Sequence, residues 1–268
     1  NMAGMAIGPR ALLVGMEMGA KSALGIGAAC ACVGFVLGIL TLTGMGFKFS
    51  SFILDVSETV ALMVKTVDVW NWIELSQMTI FFGLLFTAIA CIIMGAGVPT
   101  TPTYIILASI VAPTLAQLDV PQLATHMFVF YFGVLADVTP PVALAAFAAA
   151  GIARSEPMRT GMTAFRLSMG KAVMPFAFVY SPVLLLINFN WPDFLHAMIS
   201  TLVALIGLSV AYAGYFGKQI GWAAFIALNL LSVSLVFGNP IVTMISVPAI
   251  LLILYWHWRE GRSTLQLA

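Results

Sequence analysis

Gly95-Ala96-Gly97-Val98-Pro99-Thr100-Thr101-Pro102-Thr103-Tyr104 interrupts an apolar stretch that holds no Asp, Glu, Lys or Arg between Glu74 and Asp119. Downstream, Asp137-Val138-Thr139-Pro140-Pro141 interrupts another, from Val120 to Ala153, in which Asp137 is the only formally charged residue. Lipid offers no partner to a freed backbone amide or carbonyl. A helix-breaking loop at membrane depth is therefore tolerated only where it faces protein or a water-filled cavity. Paired breaks of this kind point to the substrate and ion site of a secondary transporter.

Working outward, the composition leaves one class. The chain has 268 residues, 62% hydrophobic and 8% charged, against about 25% charged in soluble domains. It cannot cover a soluble core, so it reads as an integral membrane protein whose first partner is the bilayer. A net charge of +1 gives no electrostatic case for nucleic acid. Cys30, Cys32 and Cys91 sit in apolar runs without metal-ligand spacing and read as small core residues. No phosphate-binding loop, zinc-ligand cluster or nucleophile elbow occurs. That argues against an ATP-driven pump on this chain and against an intramembrane metalloprotease, and it gives no support to an enzyme or to an organic cofactor. The first residue is Asn and no signal peptide precedes the first apolar run, so the chain reads as an internal stretch of a longer protein.

The expected architecture is all-α. Residues 22–47 supply a first span. Residues 48–74 carry six charges together with Trp70 and Trp72 and read as an amphipathic segment at the membrane interface. Residues 75–94 and 101–117 flank the Gly/Pro-rich loop, each short for a crossing, which suggests a re-entrant hairpin over 75–117; two ordinary spans are the alternative. Residues 122–136 and 139–152 read as one crossing broken in the middle, because Pro140 and Pro141 lack amide donors and restrict the residues before them. A basic amphipathic connection over 153–171 follows. Simple spans are expected near 172–188, 194–215, 219–236 and 240–257.

Basic residues in short loops set the orientation. Arg154, Arg159, Arg166 and Lys171, then Lys218, then Arg259 and Arg262 are separated by two crossings each, so they share a side, assigned to the cytoplasm. The first span leaves the same side after Arg10 and Lys21. Both the hairpin and the two-span alternative return to one face, so charge does not separate them.

The breaks carry the candidate chemistry. Gly95 and Gly97 allow close backbone approach, and Pro99 and Pro102 deprive nearby carbonyls of partners. Those carbonyls, with that of Val98 and the hydroxyls of Thr100, Thr101 and Thr103, are the hard oxygens an alkali cation needs. The helix opening near Thr100 aims amides and the positive end of its dipole into the site, which suits a carboxylate. Asp137 could ligate a cation, take a proton or cap the helix after the break, since an intramembrane carboxylate is a functional candidate by default. Thr139 could serve either cation or substrate, and Pro140 and Pro141 make the break. A tight turn with no ligand remains the simpler alternative for the first loop. His126 reads as a packed or interfacial side chain, His196 and His257 at span ends near Trp191, Trp256 and Trp258 as interfacial anchors, and Met2, Met5, Met16 and Met18 as lipid-facing or packing residues.

The run Ile93–Tyr104, followed by Phe128-Val129-Phe130-Tyr131-Phe132-Gly133-Val134-Leu135-Ala136-Asp137-Val138-Thr139-Pro140-Pro141-Val142-Ala143-Leu144, resembles the large membrane subunit of TRAP transporters. It is most similar to the fused permeases that work with TAXI-type solute receptors. The likeness covers most of residues 10–190, with weaker motifs in the extra spans of 194–257. It implies an elevator permease of a bacterial cytoplasmic (inner) membrane, in which sodium drives uptake of an organic acid delivered by an extracytoplasmic receptor. Residues 1–190 would then be the second inverted repeat, with hairpin 75–117 and broken helix 122–152. Residues 191–268 would be the additional C-terminal helices. The partners implied are the remaining N-terminal permease half and the small-subunit portion. Sodium would lie between the tip, Gly95–Thr101, and the break, Asp137–Pro141. The cation set is Gly95, Gly97, Val98, Asp137 and Thr139, and the substrate set is Pro99, Thr100, Thr101 and Thr139. A channel or a non-transporting membrane scaffold is the alternative function. Cysteines placed at Thr100 and Thr101 are expected to react only through a transport cavity. Labelling as free as at a cytoplasmic loop in every transport state would establish two ordinary spans instead.

Overall fold

The computed structural model describes residues 9–67 and 74–265. Met2, Met5, Trp70 and Trp72 lie outside them. The regular elements of the described residues are helices, apart from one two-residue ladder pairing Tyr215–Phe216 with Lys218–Gln219. Among the described residues four helices are long and apolar enough to cross a membrane: α1 (Pro9–Thr43), α3 (Leu75–Gly95), α10 (Trp191–Ala213) and Pro240–Glu260 of α12 (Pro240–Leu265).

The first expected span lies inside α1, which starts earlier and carries the ion pair Glu17–Lys21 at 2.7 Å on its first turns. Gly44, at φ +64°, turns the chain into α2 (Met45–Val67). Here the structure corrects the interfacial assignment. Ser50, Ile53, Ser57 and Ala61 recur at helical spacing and are buried, and α2 packs along α3 and reaches α5 (Ala112–Ala116). Small residues on that seam let the two backbones come close: a Cβ on Gly83 of α3 would stand 3.8 Å from Ser57 Oγ. Lys48, Asp55 and Glu58 are exposed on α2, while Lys65 is half-exposed at its end.

α3 is the centre of the assembly, packed by α2, by α4 (Thr100–Ile110) and by α6 (Gln122–Ala136). Its 21 residues span about 30 Å, so this arm alone has the length to cross. α4, with 11 residues, does not; it stops at Val111 before the short α5, where Pro113 begins a new turn. Leu84, Leu107, Leu115, Phe128 and Val129 make the apolar core these helices share. Phe128, Phe132 and Phe176 close it with ring centroids 4.9–5.9 Å apart.

After the second break come α7 (Leu144–Ala153) and α8 (Pro157–Ser168), the expected amphipathic connection. Glu156 caps α8 by accepting from the amides of Met158 and Arg159 at 3.0 and 2.8 Å. The span expected over 172–188 is not a simple one. A 3₁₀ turn at Met169–Ala172 leads into α9 (Val173–Tyr180), which ends at Ser181 because Pro182 disfavours helical geometry in the residue before it. A second 3₁₀ turn, Pro182–Leu185, follows. α10, α11 (Trp222–Val236) and α12 then pack side by side around Ala204, Ala211, Leu228 and Ile250. His257 is buried inside this group, with Nδ1 2.9 Å from the carbonyl of Ile253, rather than anchored at an interface. Cys91 is buried as expected, whereas Cys30 is half-buried and Cys32 exposed on α1, because little packs against that helix.

The basic positions gather at one end. Arg166 Nε donates to the carbonyl of Tyr212 at 2.7 Å, satisfying the last turn of α10 where cations are favoured. Gly217, at φ +73°, lies against the carbonyl of His257, and Lys218 pairs with Glu260. The structure thus brings the connection after the broken helix, the α10–α11 turn and the end of α12 together, as the charge count requires. Close helix approach is the cost-bearing feature here. A Cβ on Gly170 would stand 3.0 Å from Ser209 Cα and 3.1 Å from its amide nitrogen. Gly170→Val should destabilise by about 1–3 kcal/mol. Gly151→Ala, with nothing within 4 Å of the added carbon, should leave the melting temperature in detergent unchanged or slightly raised. Equal melting of both variants would contradict this packing.

Candidate functional site

The tip of the first broken segment is a turn of four residues between α3 and α4. Gly97 adopts φ +82°, open to glycine at little steric cost. The turn is tied by Ala96 N to the Ile93 carbonyl and Val98 N to the Gly95 carbonyl, both at 3.4 Å. Thr103 secures the far side: its amide donates to the Pro99 carbonyl and its hydroxyl to the Val98 carbonyl, each at 3.0 Å. Among the described residues no donor reaches the carbonyls of Ala96 and Gly97. Thr100 and Thr101 are exposed at the start of α4, where the first helical amides have no intrahelical partner.

The second break follows α6. Asp137 ends that helix, the Pro140–Pro141 bond is cis, and Ala143, in the left-handed region at φ +33°, restarts the chain as α7. Thr139 accepts from the Ala143 amide at 3.1 Å through its carbonyl, and its hydroxyl donates to the Leu135 carbonyl at 2.8 Å. The Asp137 carbonyl accepts from the Ala145 amide at 3.2 Å and so bridges the gap. Its carboxylate caps neither helix: α7 has no side-chain cap. Among the described residues the carbonyls of Val138, Pro140, Pro141 and Val142 receive no hydrogen bond.

The fold sets these two breaks against each other. A Cβ on Gly95 would stand 2.9 Å from Ala136 Cβ and 3.4 Å from the Gly133 carbonyl, and one on Gly97 would stand 3.2 Å from Val142 Cγ1. The tip glycines therefore rest directly on the last turn of α6 and on the break. Of the expected cation set, Gly95 and Gly97 make this contact. The Val98 carbonyl is already engaged by Thr103, and Asp137 and Thr139 flank the contact on the α6 side. Pro99, Thr100 and Thr101 lie at the mouth of α4. No group of three or more His, Cys, Asp or Glu side chains that could hold a metal ion occurs among the described residues. Any ion held here would be bound by backbone and hydroxyl oxygen plus one carboxylate, a hard-oxygen donor set.

Three contributors were not anticipated. Gly133 sits in an unbroken helical run, and only the approach of Thr103 and Leu107 to within 3.2–3.4 Å of its Cβ position explains it. Val142 closes over Gly97. Gly161 of α8 folds back so that its Cβ position is 3.0 Å from Phe147, 3.4 Å from Pro140 and 3.5 Å from Ala143, buttressing the break from behind. His126 is half-buried and its Nδ1 lies 3.0 Å from the Tyr104 hydroxyl, pinning α6 to α4.

The family model described as tripartite ATP-independent periplasmic transporter, DctM component, matches residues 6–192. The matched region contains both breaks and ends in the first turn of α10. No match was found among curated proteins or among solved structures. Gly95→Val should lower stability by about 1–3 kcal/mol by driving the tip off α6. Thermal unfolding with wild-type stability would mean that the tip does not rest there.

Proposed function

Since the chain belongs to the DctM component family of tripartite ATP-independent periplasmic transporters, it is a multi-pass membrane permease component, and we propose that it imports an organic acid by coupling to sodium. The family works with a substrate-binding protein and a small membrane subunit. The closer likeness of the two motifs favours a TAXI-type receptor, a bacterial cytoplasmic membrane and an elevator mechanism. The remaining permease half and the small-subunit portion would complete the carrier.

The observation that carries the coupling is the contact of Gly95 and Gly97 with Ala136 and Val142, which lays the two breaks, each with carbonyls that receive no hydrogen bond among the described residues, against one another. Lipid gives such carbonyls no partner. A sodium ion between the Ala96–Gly97 turn and the Asp137–Val142 segment supplies one, with Asp137 balancing its charge and Thr139 offering a hydroxyl lone pair. Thr139's proton is committed to Leu135, which leaves the oxygen free to face a cation. The free amides at the start of α4 and the Thr100 and Thr101 hydroxyls are donors suited to a carboxylate. Because the ion bridges the tip and the break, it favours the closed tip over the open one. Such a difference between states is what coupling requires. The carboxylate of the substrate then meets a site already organised by the cation.

The test is uptake into proteoliposomes containing the complete transporter and its solute receptor. Accumulation should vanish when the sodium gradient is collapsed. Asp137→Asn and Thr139→Ala should each raise the sodium concentration needed for half-maximal uptake by about tenfold, the loss of one ligand to a charged group. Uptake that only equilibrates, or that persists without sodium, would replace the carrier with another mechanism. Unaltered sodium dependence in both variants would remove these two residues from the site.

A further inference from the structure

We propose that the groove between α8 and the end of α10 binds the phosphodiester headgroup of an anionic phospholipid, with an acyl chain in the apolar cavity behind it. The groove, about 440 Å³, is walled by Arg159, Met162, Thr163 and Arg166 of α8. Positions 159, 162, 163 and 166 share one helix face, so both guanidinium groups line the same channel. Its lining contains no carboxylate. Glu156, the acid at the start of α8, is engaged with the amides of Met158 and Arg159. Arg166 spends Nε on the Tyr212 carbonyl, which fixes its orientation and leaves its terminal amino groups to donate to phosphate oxygens.

The cavity behind the groove, about 290 Å³, lies between α3, α9, α10 and α11 and is lined by Phe81, Leu85, Val173, Phe176, Leu208 and Val233, among others. Met169 and Tyr212 line both spaces, so the basic groove adjoins the apolar cavity across these two side chains. A free anion gains nothing from that second compartment, whereas a lipid fills both. The depth also agrees. Trp222, exposed on the other side of Tyr212 in a third depression that Arg166 shares, is of the type that settles at the headgroup level. This is the end where Arg166, Lys218 and the close of α12 gather, the positive and hence cytoplasmic side, and basic pockets between membrane helices on that side suit anionic headgroups. The lipid would seal the seam between the region of the two breaks and the C-terminal helices.

The experiment measures electron spin resonance of spin-labelled phosphatidylglycerol and spin-labelled phosphatidylcholine with the complete protein in phosphatidylcholine nanodiscs. The immobilised fraction of phosphatidylglycerol should exceed that of phosphatidylcholine severalfold. Arg159→Gln should reduce that preference severalfold. Val233→Trp, which fills the cavity, should do the same without touching a charge. Lys171→Gln, an exposed cation outside the groove, should leave it intact, and millimolar inorganic phosphate should not displace the lipid. Equal partitioning of the two lipids overturns the proposal, as does a preference unaffected by both groove variants. A Lys171→Gln loss as large as that of Arg159→Gln would reduce the effect to general surface potential. Displacement by phosphate with no effect of Val233→Trp would make the site one for a free anion.

Discussion

Everything in this protein turns on backbone groups that lipid cannot satisfy. Two helices stop inside apolar surroundings, and each stop releases carbonyls that the helix itself does not take and lipid cannot satisfy. The fold answers by laying one stop against the other: a Cβ on Gly95 would stand 2.9 Å from that of Ala136, and one on Gly97 3.2 Å from Val142 Cγ1. That single approach demands glycine at 95 and 133 and a threonine at 103 to tie down the turn. It also requires a third helix, α8, to brace the prolines from behind through Gly161.

On the proposed sodium coupling, the same contact is where the ion would sit. Water satisfies carbonyls singly, whereas a cation would gather several at once and bring a charge that Asp137 could balance. Without the ion the tip is held by its glycine contacts and by the two hydrogen bonds of Thr103; with it the tip would be clamped. A permease that must expose its substrate to alternate sides needs an element whose closure is decided by a bound ion rather than by packing.

The C-terminal helices are built on a different principle. They meet through small residues and close backbone approach, Gly207 on Ser232 among them and Gly170 of the preceding 3₁₀ turn on Ser209, and pair Lys218 with Glu260 at one end. Within the membrane apolar side chains gain little from one another over lipid, so van der Waals contact between backbones does the holding. Cavities remain between this group and α3, α8 and α9.

Much of this was legible in the chain itself. The membrane class followed from 8% charge, since no soluble surface can be made from it. The breaks at 95–101 and 137–141 followed from glycine and paired prolines, whose effect on a helix is local. The sharing of one side by Arg166, Lys218 and Arg259 followed from the number of crossings between them. What the chain did not disclose was every relation that depends on which face meets which. The burial of Ser50, Ser57 and Ala61, the stop at Ser181 and the burial of His257 were misjudged or missed. Composition marks α2 as amphipathic but not which neighbour covers its small residues. Above all, the apposition of Gly95 with Gly133 and of Gly97 with Val142 joins residues some forty positions apart. Local propensity ends the helices; only the packing of α3, α4 and α6 around Leu107 and Phe128 decides that the ends meet.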